Sequence, residues 1–328
     1  MSSGSGRARA AARVVAGLAA LAACACVLYL AASAKGLLPW AQGAQPALDE
    51  AQEQPRPTAG PAQARLSDLS WAALREAADR IEAAADGVAA REVARSYGIV
   101  EEDGSLTQDT IRADLTNGYS IDVRVIDVLH DDKADGSGKA GLTLMSVGAL
   151  ARGPMNEGPT AEGGWESSHA RAWLASDGLA LLPDDLRQAI VPVTKLTNNV
   201  GDTNAPEEVS ATTDELWLFS PKEVCGTVTW ETDTYGDDGW GIDESLNQEG
   251  YQYLAFAEHG VTATSAGDGF LRLDGSTGRS TWWYRTPQGA NWAHSGANDL
   301  FYQVMNSGVP KGYGNPDESS AYVVGFCL

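Results

Sequence analysis

Residues 14–34 form an unbroken run of 21 positions without a charged side chain. As a helix, such a run is long enough to cross the roughly 30 Å hydrocarbon core of a bilayer. Arg7, Arg9 and Arg13 precede it with no acidic residue among them. A basic flank of this kind stays on the cytoplasmic side, which places everything after Lys35 outside the cell. The expectation is a signal anchor at 14–34 behind a basic cytoplasmic tail at 1–13, giving a single-pass cell-membrane protein with an extracellular C-terminal part. Two alternatives stay open. Ala32-Ser33-Ala34 has the small-x-small form of a secretory cleavage site. Leu21-Ala22-Ala23-Cys24 resembles a bacterial lipobox, although the apolar run continues past that cysteine. All three readings export the rest of the chain.

The exported part is acidic. The net charge is −21, and all 44 aspartates and glutamates follow position 40. Such a surface repels polyanions, so nucleic acid is excluded as a partner and the membrane is met only through residues 14–34. With 43% hydrophobic residues the chain has enough apolar surface to fold.

Residues 35–64 carry Pro39, Pro46, Pro55, Pro57 and Pro61 among Ala, Gln and Gly, the composition of a linker. Residues 65–97 then read as one amphipathic helix. Trp71, Leu74, Ala78, Ile81, Ala85 and Val88 step by three and four onto one face. Gly87 is a point where it loosens or ends. Packing of that face on the following domain is the plainer reading, and self-association through it is the rival.

From residue 98 the helical period disappears. Runs at 111–115 and 119–129 alternate like strands across Asn117-Gly118, a strong hairpin signal. Further strands are expected at 142–147, 282–285, 301–305 and 322–328. Short helices are expected after Gly164, over 184–190 behind Pro183, behind the Ser220-Pro221 cap, and over 250–258. The polar segments 197–213, 226–247 and 286–299 read as long loops. Residues 98–328 are therefore expected to be an α+β domain with short strands and long loops.

The motifs for chemistry are sparse. Gly136-Ser137-Gly138-Lys139-Ala140-Gly141 fits a dinucleotide fingerprint only in letters, because a strand and not a helix follows it. His130, His169, His259 and His294 show no zinc-ligand spacing. No catalytic residue is assigned, and no cofactor is implied beyond Ca2+. Asp131, Asp132 and Asp135 cluster in one loop, and Asp233, Asp243 and Glu244 in another, so either could hold that ion through hard carboxylate oxygens. The bland alternative is a solvated acidic face. Cys225 and Cys327 are an even pair outside the apolar run, either a disulfide in an oxidising compartment or two buried thiols.

Ten tryptophans are the most informative compositional signal. Trp165, Trp173, Trp217, Trp282 and Trp283 neighbour apolar runs and are expected in the core. Trp230, Trp240 and Trp292 lie in polar loops. With Asp237 and Asp238 they are candidates for a platform that meets a sugar ring or a protein partner. The alternative is a loop pinned to the core by its own tryptophan. Arg285 completes the candidate binding set, against a structural ion pair as its other role.

An ordered series of motifs covers about two thirds of the chain: HDDKADGSGKAG at 130–141, GGWESSHARAWL at 163–174, LALLPDDLRQAIVPVTKLTNNVG at 179–201, DELWLFSPKEVCG at 214–226, EGYQYLAF at 249–256, WWYRTP at 282–287 and VVGFCL at 323–328. Together these resemble a family of bacterial domains of unknown function found in exported proteins of Gram-positive bacteria. That family is similar, at a distance, to the formylglycine-generating-enzyme and C-type-lectin-like folds, with a Trp-rich irregular core and long loops. The resemblance implies a C-type-lectin-like domain that binds a cell-surface glycan, peptide or envelope component. The copper-binding thiol oxidase of that fold class needs two placed cysteines. Cys225 and Cys327 do not map onto them, so catalysis is not carried over. An extracellular hydrolase or thiol oxidase is the rival reading.

Overall fold

The computed structural model describes residues 65–200, 205–235, 242–275, 278–288 and 299–328. The chain divides into a unit Met1–Gly60, outside the described residues, and a unit Pro61–Leu328. The expected anchor at 14–34 lies outside the described residues. Among the described residues no helix is long and apolar enough to cross a membrane.

The second unit is mixed α+β. The expected helix at 65–97 is two helices, α1 (Trp71–Glu82) and α2 (Gly87–Ser96). Ser70 caps the first through Ala73 N. Asp86 caps the second, accepting from Val88 N and Ala89 N. A short polar side chain that bonds these orphan amides starts a new helix where a continuous one had been read. Gly87 thus begins a helix and does not end one. The first four positions of the apolar stripe are spent on the domain: Trp71, Leu74, Ala78 and Ile81 are buried, and Trp71 meets Phe326 edge-on at 6.4 Å, whereas Ala85 and Val88, on either side of the break, are exposed.

The Asn117-Gly118 hairpin forms as expected. β1 (Ile111–Asp114) pairs antiparallel with β2 (Ser120–Val128), Ile111 opposite Val123, with Gly118 at φ 84°. β2 continues to β3 (Leu142–Ser146), which pairs with β14 (Val324–Cys327), and β14 with β7 (Trp217–Leu218). The C-terminal strand therefore runs through the interior of a five-stranded sheet, ordered β1-β2-β3-β14-β7. β3 and β14 are buried at every position, Thr143 and Ser146 included.

A second five-stranded sheet has the order β12 (Gly312–Gly314), β11 (Leu300–Val304), β10 (Trp282–Gln288), β13 (Ser320–Tyr322), β4 (Ala151–Gly153). β10 is its buried centre and carries a register shift between Trp283 and Pro287. A bulge there accommodates a proline that could not donate to the ladder, and it re-aims Arg285 between its neighbours. Trp165, Trp217, Trp282 and Trp283 fill the core, and Trp173 is half-buried.

Part of the segment read as a loop at 197–213 is a strand. β5 (Val193–Asn198) pairs antiparallel with β6 (Val209–Asp214) over six positions. A two-stranded β8 (Leu273–Gly275) and β9 (Gly278–Ser280) completes the sheets. Four short helices position the site described next: α3 (Asp184–Ala189), α4 (Pro221–Cys225), α5 (Ile242–Leu246) and α6 (Leu254–Glu258).

Candidate functional site

The sequence folds a group of ionisable side chains into the junction between β5, β10, β14, α4 and the loop after β2. On β5 the inward positions are Val193, Lys195 and Thr197, so the alternation that buries two uncharged side chains buries an ammonium as well. Ser220 and Glu223 form a capping box at the start of α4, which turns the glutamate inward. The β10 bulge presents Arg285. Asp131 follows the end of β2.

These four charges compensate each other. Lys195 Nζ lies 2.7 Å from Asp131 Oδ1 and 2.5 Å from Glu223 Oε1, and it donates to the Tyr253 hydroxyl at 2.8 Å. Two ammonium hydrogens go to Asp131 Oδ1 and the Tyr253 hydroxyl, and the cation sits 4.5 Å over the Trp217 ring. Arg285 donates through Nε to Thr197 Oγ1, through Nη1 to Leu218 O and Glu223 Oε2, and through Nη2 to Leu196 O and Glu223 Oε1. Every donor of that fork is therefore occupied. Tyr253 and Thr143 also donate to Asp131, at 3.0 and 2.7 Å.

Burial pushes the Asp131 carboxyl up, but the Lys195 ammonium, His130 and the bonds from Lys195 and Thr143 outweigh it and hold Asp131 at about 2. Glu223 is lowered in the same way, burial being overcome by Arg285 and Lys195. Glu249 is the exception. Burial pushes it up to about 7, against the pull of Arg285 and of bonds from Thr286 Oγ1 and Asn198 N.

A cleft of about 190 Å3 opens onto this cluster. Its floor is Asp131, Lys195 and Glu223; its polar wall is His130, Asp132, Lys139 and Thr194; Leu196, Gly250 and Tyr251 form the rim. Tyr251 is 77% exposed and Leu196 38%, two of the few large apolar side chains that face solvent among the described residues. His130 Nδ1 lies 2.8 Å from Asp127 Oδ2, which also accepts from Leu254 N at the start of α6. The imidazole lies against Tyr253 with ring centroids 4.2 Å apart. Lys139 Nζ bonds His130 O at 2.7 Å and Asp132 Oδ1 at 3.0 Å.

The residues singled out from sequence fall elsewhere or take other roles. Trp230 is no exposed platform: it is 3% exposed and donates through Nε1 to Ala263 O at 2.6 Å, pinning its loop to the core. Trp240, Trp292, Asp237 and Asp238 lie outside the described residues. Arg285 is fully buried in the ion cluster and presents no donor to a ligand. The six carboxylates weighed for Ca2+ do not converge. Asp131 is committed to Lys195, Asp132 pairs with Lys139, and Asp135 accepts from Ser137 N. Asp233 bonds Thr229, Asp243 accepts from Thr232 N, and Glu244 is exposed. Among the described residues no group of three or more His, Cys, Asp or Glu side chains is placed to hold a metal ion. Cys225 and Cys327 are buried free thiols with different partners: Tyr284 OH at 3.7 Å for the first, Thr143 Oγ1 and Asp131 Oδ2 at 3.5 Å for the second. No bridge joins them.

Sequence reasoning missed Lys195, Glu223, Tyr253 and Tyr251. The first two had readable signals: a lysine on the inward phase of an apolar alternation, and a Ser-x-x-Glu capping box. Tyr251 had none.

Searches of curated proteins and of solved structures return no match. A family model described as "Domain of unknown function (DUF6273)" matches residues 140–320, which hold Lys195, Glu223, Arg285 and most of the cleft. That match spans more than half of the chain, and the chain belongs to the DUF6273 family.

Proposed function

We propose that this is a membrane-anchored extracellular binding module whose cleft takes one sugar ring of a cell-surface or envelope glycan. One observation carries the reading: an exposed aromatic ring, Tyr251, stands at the rim of a small cleft whose wall offers Thr194, Lys139 and Asp132 as donors and acceptors. An aromatic face packs against the C–H side of a sugar, and mixed polar groups meet its hydroxyls. At about 190 Å3 the cleft is smaller than the roughly 300–1,000 Å3 of drug-sized sites, which suits a single ring. A C-type-lectin-like arrangement of the domain, a signal anchor at 14–34 and a linker at 35–64 that holds the domain off the membrane belong to the same proposal.

The test is a glycan array probed with the full-length chain in detergent micelles, alongside Tyr251→Ala. The expected outcome is selective binding that weakens about tenfold or more on removing the ring, the loss of a contact worth about 1.4 kcal/mol. Binding that survives Tyr251→Ala unchanged, or no binding to any glycan, contradicts the reading.

A further inference from the structure

We propose that His130 is the hydrogen-bond acceptor of the cleft and that, with Lys139 beside it, it selects a vicinal diol; this rests on the sugar-ring reading above. Asp127 Oδ2 lies 2.8 Å from His130 Nδ1. A carboxylate accepts and does not donate, so Nδ1 carries the proton. In the neutral ring Nε2 is then left with a lone pair. Among the described residues Nε2 has no partner, and the imidazole lines the cleft.

Three further features hold the ring in place. Asp127 is itself fixed, taking Leu254 N on the same oxygen and Val128 N on the other. Tyr253 covers one side of the imidazole. Leu129, the residue before, sits at φ 54°, a left-handed conformation that costs a side-chain-bearing residue about 1 kcal/mol or more. That turn ends β2 and swings His130 toward the cleft, and backbone held in this region tends to mark a site that needs it.

Lys139 supplies the complementary donor. Two of its three ammonium hydrogens go to His130 O and Asp132 Oδ1, and the third has no partner among the described residues. An acceptor nitrogen and a donor nitrogen on one wall match adjacent ring hydroxyls, one donating to Nε2 and its neighbour accepting from Nζ. A carboxylate or phosphate would meet a lone pair at His130 and is disfavoured.

The experiment has two arms, both on the full-length chain in micelles. The first is a long-range 15N–1H correlation of the His130 imidazole without ligand, taken where the 15N shifts report a neutral ring. The expected result is a proton on Nδ1 and none on Nε2; a proton on Nε2 overturns the proposal whatever the protein binds. The second measures affinity for the methyl glycosides of glucose, galactose and N-acetylglucosamine and their monodeoxy derivatives, in the wild type and in His130→Asn. That substitution keeps an N–H for Asp127 and removes the Nε2 position. Deleting one hydroxyl is expected to weaken wild-type binding about five- to tenfold and to have no further effect in His130→Asn. A wild type that binds a glycoside and is indifferent to His130→Asn overturns the role of His130 alone. A wild type that binds none of them overturns the sugar reading and the diol assignment together.

Discussion

Lys195 is the centre of the buried ion cluster. It is buried, ringed by two carboxylates and a phenol, and covered by an indole. Removing one partner of a buried pair leaves the others uncompensated, at a cost of about 3–5 kcal/mol. Lys195→Met, which keeps the stem and deletes the charge, is expected to lower stability by that amount in urea unfolding. A loss below about 1 kcal/mol would show that the cluster is not held together as described. Glu249 gives the second prediction at this scale. Its folded value of about 7 lies above the ordinary 4.5, so the native state holds its proton longer than the unfolded chain. Its contribution is full below pH 4.5 and is lost as pH rises through 7, about 3 kcal/mol in all. Glu249→Gln should remove that decline from a pH series of unfolding free energies; an unchanged slope between pH 4.5 and 7 would contradict the burial of a protonated acid. At this scale the sequence was legible for groups that interrupt a pattern, as Lys195 does on β5. It was not legible for Asp131, because three aspartates share one acidic loop and only tertiary packing decides which turns inward. For Trp230 the sequence left a platform and a pinned loop both open, and packing decides for the pinned loop, its indole folding back onto Ala263 O.

The elements are held by close approaches as much as by apolar burial. α1 crosses the start of β3 at Gly141, where a side-chain carbon would lie 2.6 Å from Ala78 Cα. Glu82 at the end of α1 accepts from Gly141 N at 3.1 Å and pairs with Lys133 at 2.6 Å, which locks the helix to the loop that carries His130 and Asp131. Gly141→Ala must push α1 outward and is expected to cost about 1–3 kcal/mol by overpacking, read from the thermal midpoint. A neutral effect would mean that α1 is free to slide. The 3.6-residue period made helix visible over 65–97, though as one helix, and Asn117-Gly118 made the first hairpin visible, because both signals are local. The β6 half of the β5–β6 ladder was hidden because its stretch, 209–214, is polar and carries no apolar alternation. The break at Asp86 was hidden because the apolar stripe runs on through it.

At the scale of the whole molecule, the excess of acid over base and the charge-free run at 14–34 concern where the chain sits and what it avoids. They are silent on what it binds. Under the proposed function that depends on residues from separate segments, 130–132, 139, 194–196, 223 and 250–251, which only the tertiary fold brings to one cleft. The two distal cysteines illustrate the limit of counting: an even pair suits a disulfide, yet each thiol has its own buried partner. The most direct check of the cleft is amide hydrogen exchange of the full-length chain with and without a bound envelope glycan. Protection confined to 130–139, 194–196 and 250–251 is the expected result. Protection that spares these segments and falls on another face of the domain would contradict the assignment of the site.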